Sequence, residues 1–189
     1  MKVLLVFLVV LVIPVIWATI KYNLFITLRN NRENAFANID VQLKQRQDLI
    51  PQLVATVKGY ASHEKETLDR IVTARSGAIN AKSISEKIAA ENALTSALAG
   101  LKIIVEAYPD LKANANFMHL QEEIADIENK LAAVRRYFNS ATKEWNTAVE
   151  MFPANIIARM FSFRKEMMLE LSVSEEERQK LQEIPEIRF

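Results

Sequence analysis

The chain has 189 residues, 50% of them apolar, which suits one domain of ordinary size with a real core and is too apolar for a disordered tail. Its 24 basic residues against 23 acidic ones leave a formal charge of +1, so no global field draws it onto nucleic acid. Cysteine is absent, which excludes disulfides, thiolate metal sites, a cysteine nucleophile and a lipoprotein cysteine, while three glycines and five prolines disfavour a turn-rich sheet and predict an all-α fold.

Residues 3–20 form an uncharged run of eighteen between Lys2 and Lys21. As a helix the run reaches about 27 Å, just enough to cross the hydrocarbon core of a bilayer. A cleaved signal peptide is the competing reading, but the run exceeds a normal signal core and the exit VIWATIKY lacks a small-x-small cleavage site. Residues 1–22 therefore read as a single-pass transmembrane anchor. Trp17 and Tyr22 stand near its exit, where amphipathic rings favour the interface. Pro14 is tolerable in lipid where a neighbour covers the freed carbonyl. Lys21, Arg29 and Arg32 after the run slightly outweigh Lys2 and the amino terminus before it, which points the soluble part to the cytoplasm.

Past the anchor no turn signal occurs until Ser76-Gly77, so one helix is expected from the membrane through Arg75, interrupted at most at Pro51. Phe36, Ile39, Leu43, Ile50, Leu53, Val57 and Tyr60 follow steps of three and four, with one position skipped. Arg46 fills it, Arg32 lies on the same line two heptads earlier, and Arg29 stands beside it. These arginines either lay their stems on the seam with their heads at its edge, or pair with carboxylates of another helix and fix register. Replacing Arg46 with Leu is then expected to be tolerated or stabilising in a lone bundle, and to blur oligomer size if Arg46 sets register. Pro51 removes a donor and crowds the carbonyl of Gln47, a loss of about 3 kcal/mol in a helix interior. Because the seam keeps phase across it, a kink is expected rather than a restart capped by Asp48. Asn23, Asn30, Asn34 and Asn38 line the opposite face, as a solvated surface or as a polar ladder between subunits.

Ser83 and Glu86 form a capping box, and Leu94, Leu98, Leu101, Val105 and Tyr108 carry a second helix to Pro109. The third helix has the cleanest seam: Phe117, Leu120, Ile124, Ile127, Leu131, Val134, Phe138, Ala141, Trp145, Ala148 and Phe152. Pro153 closes it or opens a short helix, PANIIARMF. Together these predict an N-terminal transmembrane helix followed by a long-helix antiparallel bundle over 23–162, with 163–189 as a charged C-terminal tail.

The sequence carries little that points to chemistry. His63 and His119 are preceded at three residues by Tyr60 and Asn116, so no di-iron Glu-x-x-His pair exists, and Thr67 stands where a zinc-protease helix needs its second histidine. His119 with Glu122 or Glu123 is a chance metal arrangement at most. Glycines at 59, 77 and 100 cannot build a phosphate loop, a dinucleotide fingerprint or a nucleophile elbow. Arg135 and Arg136 beside Tyr137 and Phe138 are flanked by acidic residues, and Phe138 belongs to the seam, so a nucleic-acid patch is not expected.

Three blocks carry a resemblance. They are LRNNRENAFANIDVQLKQRQDLIPQLVATVKGYASHEKETL at 28–68, AYPDLKANANFMHLQEEI at 107–124, and RRYFNSATKEWNTAVEMFPANIIARMF ending at Phe161. With this proline, this Lys-Gly-Tyr and this Tyr-Pro-Asp-Leu-Lys-Ala in order, nearly the whole chain resembles the LemA family of bacterial membrane proteins. The resemblance implies a membrane helix, a long-helix bundle, placement in the bacterial inner membrane with the bulk in the cytoplasm, and no catalytic residues to carry over. It also implies, by association, a role near membrane zinc proteases in envelope quality control. The family pattern has a glycine between the last two phenylalanines, where this chain has Ser162.

The sequence thus predicts a non-enzymatic scaffold without cofactor or metal, embedded in the lipid bilayer, self-associating, and presenting its bundle to envelope partners. Candidate interaction and register residues are Asn30, Arg32, Asn34, Asn38 and Arg46, with Pro51 at the kink. The core seam is expected at Ile39, Leu53, Val57, Tyr60, Ile124, Leu131, Phe138 and Trp145. The alternative is an adaptor or regulatory subunit of a membrane enzyme such as a protease, acting through the tail after Phe163.

Overall fold

In the computed structural model the described residues are 2–169, without the side chains of 3–10. They form six helices: α1 (Lys2–Tyr60), α2 (Lys65–Asn80), α3 (Ile84–Ala107), α4 (Pro109–Lys112), α5 (Ala115–Glu150) and α6 (Ala154–Met160). Two compact units arise, a central one of Glu33–Tyr137 and a terminal one made by the chain up to Arg32 and from Phe138 onward, so α1 and α5 contribute to both.

Two expectations about the first helix need correction. The chain breaks at 61–64 rather than continuing to Arg75, and the Ser76-Gly77 pair predicted as a turn lies inside α2. Gly59 and Ser62 are poor helix residues, and the break lets Ala61, Leu68 and Ile71 fold back onto Ile50, Leu53 and Val57 in one core. A helix running on would have left Leu68 and Ile71 without that cover.

Across Pro51, by contrast, α1 is continuous, and no restart at Asp48 occurs. Pro51 faces outward. The Gln47 carbonyl it deprives of a donor accepts instead from the Arg75 Nε–H of α2 at 2.7 Å. Because an orphaned carbonyl is the main penalty of an internal proline, this one contact explains how the helix passes through.

In the central unit α3 follows α1 in the same direction. Lys87 Nζ meets both carboxylate oxygens of Asp40, at 2.7 and 2.8 Å, near one end, and the Tyr108 hydroxyl donates to Glu64 Oε1 near the other. The opposite order of Arg46–Glu128 and Tyr60–Asn114 makes α5 antiparallel to α1. With α2 returning from α1 across its short turn, the unit is a four-helix bundle. The Ser83–Glu86 capping box is present, and the backbone N–H groups of Lys82 and Ser83 hold the Glu86 carboxyl below its ordinary value. Asn114 caps α5 by accepting from Phe117 N–H at 2.9 Å while its amide donates to the Tyr60 hydroxyl at 2.8 Å. Pro109 opens α4, whose Leu111 is fully buried. The Tyr-Pro-Asp-Leu-Lys stretch is thus the plug and latch of one bundle end.

In the terminal unit Phe25 and Trp145 stack edge to face at 5.9 Å, joined by Phe163 and by Ala154, Ile157 and Ala158 of α6. The α6 helix ends with Phe163 N–H donating to Ala158 O at 2.9 Å while Ser162 takes φ 57°. That is the left-handed closure which favours glycine, so the tight turn persists with serine in the glycine position.

Residues 163–169 are docked by two asparagines of α5. Asn146 exchanges two hydrogen bonds with the backbone of Glu166 (2.9 and 2.8 Å), and Asn139 exchanges two with Leu169, both 2.8 Å. Two helical turns rise about 10.5 Å and three extended residues about 10 Å, so asparagines seven apart match backbone three apart. The first part of the predicted tail is therefore structural. The rest, with its predicted Ser174–Glu177 cap, lies outside the described residues.

Candidate functional site

The largest fully buried side chain is not apolar. It is Arg46, 2% exposed in the heart of the central unit. It arrives there because the three-four spacing of α1 sets position 46 between Leu43 and Ile50 on the inward face, and both of those neighbours are buried. Its terminal nitrogens reach Glu91 Oε2 of α3 at 3.4 Å, Glu128 Oε1 of α5 at 3.3 Å and Thr95 Oγ1 at 2.9 Å. Glu91 is equally buried and takes a further 2.9 Å hydrogen bond from Gln47 Nε2 on its other oxygen. Arg135 joins electrostatically: burial and the like charge of Arg46 lower its affinity for the proton, while Glu91 and Glu128 oppose that shift. Two guanidiniums thus face two carboxylates, and the network is neutral in sum.

Within this arrangement the Arg46 Nε is the one buried nitrogen without a partner. Every carboxylate oxygen of Glu91 is engaged by a donor from α1, and the one hydroxyl among these groups, Thr95, accepts from Arg46 and donates to the Glu91 carbonyl. Among the described residues no cluster of three or more histidine, aspartate or glutamate side chains is placed to hold a metal. His119 lies exposed, 3.8 Å from Glu123 one turn on. A groove of about 640 Å3 between α3 and α5 reaches the network from outside, with Thr95 and Glu128 in its lining beside Leu98, Val105 and Ile124.

The remaining predicted residues fall as follows. Arg32, in the terminal unit, donates to Thr142 Oγ1 at 3.2 Å, pairs with Glu166 at 3.2 Å and lies over the Phe138 ring at 5.0 Å. Asn30, Asn34 and Asn38 are exposed. Ile39, Leu53, Val57, Leu131, Phe138 and Trp145 are buried and Ile124 is half-buried. Tyr60 departs from the expected seam at 44% exposed, because α1 ends there and its hydroxyl turns to Asn114. Phe152 departs too, since α5 ends at Glu150 before reaching it. The sequence reading missed Glu91, Thr95, Glu128 and Arg75. The signal for Glu91 was present: it stands three residues before Leu94, on the inward line of α3.

Near its N-terminus α1 is apolar and long enough to cross a membrane. By length and composition α3 passes the same test, but it carries buried Glu91 and packs Leu94, Leu101 and Ile104 into the bundle core, as a core helix does. Known proteins match the chain along most of its length. It is 22% identical over 171 residues to magnetosome protein MamQ of Magnetospirillum gryphiswaldense, covering 77% of this chain and 63% of that protein. To protein LemA of Metamycoplasma hominis it is 26% identical over 132 residues, covering 69% and 60%. Magnetosome protein MamQ 2 of Paramagnetospirillum magneticum is 21% identical over 171 residues, at 77% and 63%. The matches thus span less than two thirds of these relatives' own lengths. The LemA family matches residues 35–189, from the first helix of the bundle to the carboxyl end, and with that match the chain belongs to the LemA family, whose membrane association accords with its N-terminal apolar helix.

Proposed function

We propose that this protein is a non-enzymatic, membrane-anchored helical scaffold of the bacterial inner membrane that self-associates and offers its bundle to envelope partners. The observation that carries the reading is the Arg46 network: the charged groups buried in the bundle, Arg46 and Glu91, are engaged by one another and by Gln47, Thr95 and Glu128. A buried ion pair adds little net stability over an apolar replacement, but it penalises every misalignment that strands a charge. A slip of α1 by one turn would set Arg46 against apolar layers, so the network holds α1, α3 and α5 in register. Exposed Asn34, Asn38 and Val41, spaced four and three apart on the outer face of α1, supply a surface suited to a second copy.

The mass of the full-length protein in nanodiscs, measured by light scattering, tests self-association. A defined multimer is expected, and a strict monomer would remove this part of the reading. The adaptor reading places partner capture in the tail after Phe163, with the groove between α3 and α5, an apolar strip beside Lys102 and Glu106, as a second surface suited to a helix of a membrane enzyme such as a protease. Deleting residues 170–189 rather than 163–189 separates partner capture from the docked segment.

A further inference from the structure

A surface helix on a water-soluble unit needs a polar outer face, and on α6 Arg159 alone supplies a fully exposed polar side chain. Its inner face, Ala154, Ile157 and Ala158, is buried. Its outer face presents Ile156 and Met160, four apart, at 52% and 70% exposure, and Phe152 just before it is 78% exposed. Among the described residues Arg159, Arg164 and Lys21 form no ion pair. Large exposed apolar side chains accompanied by unpaired cations mark an interaction site.

The location of this surface identifies its occupant. The core that buries the inner face of α6 also takes in Trp17, Ala18 and Tyr22 of α1, and the Tyr22 ring packs at a tilt against Phe161 and Phe163 at 4.6 and 5.9 Å. Trp17 and Ala18 fall within the last turn of the uncharged run at 3–20. A helix packed against residues 17–22 lies at their depth, the bilayer interface, where Trp and Tyr rings favour the headgroup level and basic side chains meet phosphate.

We infer that α6 is a second, interfacial membrane element: Phe152, Ile156 and Met160 enter the acyl boundary beside the exit of the anchor while Lys21, Arg159 and Arg164 contact anionic headgroups. The inference rests on reading residues 3–20 as a bilayer span. A short helix of this kind adds a lateral contact that a lone spanning helix lacks, and so fixes the tilt and rotation of the terminal unit on the membrane surface.

Because the chain has no cysteine, single-cysteine variants of the full-length protein report depth directly. Phe152→Cys, Ile156→Cys and Met160→Cys are labelled with an environment-sensitive fluorophore and reconstituted into phosphatidylcholine–phosphatidylglycerol vesicles. Quenchers are carried shallow or deep on the lipid chains, or dissolved in the water. Ile13→Cys in the anchor and Ile103→Cys on the exposed side of α3 serve as controls. The expected result is that the shallow lipid quencher removes most of the fluorescence at 152, 156 and 160, the deep one removes it at 13, and only the aqueous one acts at 103. Quenching at 13 by lipid but at the α6 sites by water alone would overturn the inference and leave the anchor standing. Failure at 13 would remove the anchor and the inference with it. Self-quenching between labels on different copies at 156 or 160, without lipid quenching, would assign the face to a second copy and also overturn it.

Discussion

Arg46 brings a full charge to a buried position, and its partners decide how its replacement behaves. From sequence alone Arg46→Leu was expected to be tolerated in a lone bundle. Buried Glu91 reverses that expectation, because the substitution removes the guanidinium that touches it and leaves Arg135 alone to balance two carboxylates. The single change should lower stability by about 3–5 kcal/mol, whereas Arg46→Leu combined with Glu91→Leu should be neutral or stabilising. Urea unfolding followed by helical circular dichroism in mild detergent checks both, and equal losses in the single and the double variant would argue against the pairing. Ser162 offers a test of opposite sign. At φ 57° a side chain is strained, so Ser162→Gly should gain on the order of 1 kcal/mol in the same assay. Individual residues were unevenly legible in the sequence. Apolar seam positions could be counted, but a glutamate on the inward line reads as a gap, since spacing does not reveal whether a partner cation waits opposite.

At the scale of elements, the proline in α1 and the arginine in α2 form one device. Arg75→Ala should cost about 1–3 kcal/mol by orphaning the Gln47 carbonyl. In a Pro51→Ala background the helix supplies its own donor to that carbonyl, so the same Arg75→Ala change should cost less. A double-mutant cycle measures the difference, expected on the order of 1 kcal/mol, and strict additivity would disconnect the two residues. The docked segment makes an equally local prediction. Asn139→Ala removes both of its bonds to Leu169, so amide exchange should accelerate at 166–169 while α5 itself stays protected. Among elements, the capping box of α3 and the seam of α5 were readable because each is local chemistry at fixed spacing. The turn at 61–64 was not, because it is chosen by the non-local gain of folding Leu68 and Ile71 onto Ile50 and Leu53.

For the molecule as a whole, two units with separate cores imply two separable responses to damage. Trp145→Ala should cost about 3–5 kcal/mol, as expected for a buried aromatic, and should raise exchange in α6 and at 163–169, where its indole N–H holds Arg164 O at 2.8 Å. Exchange in α2 and α3 should hold unless the whole chain unfolds in one step, which the same experiment would detect. Fold class, the apolar N-terminal helix and the family were legible at this scale because they depend on composition and long periodic runs. The division into two units was not, since it depends on which halves of α1 and α5 share a core.

The asparagine clasp also sets where the remaining chain departs. Residues 170–189 hold six glutamates against three basic residues. If α6 is interfacial as inferred, so acidic a segment released at Arg164, beside the aromatic cluster, would start among anionic headgroups and be repelled by them. Stepping along α5 from Asn146 to Asn139 instead carries the backbone about 10 Å, on the order of a Debye length at physiological salt. The clasp thereby acts as a fairlead, fixing the point on α5 from which a negatively charged line is paid out.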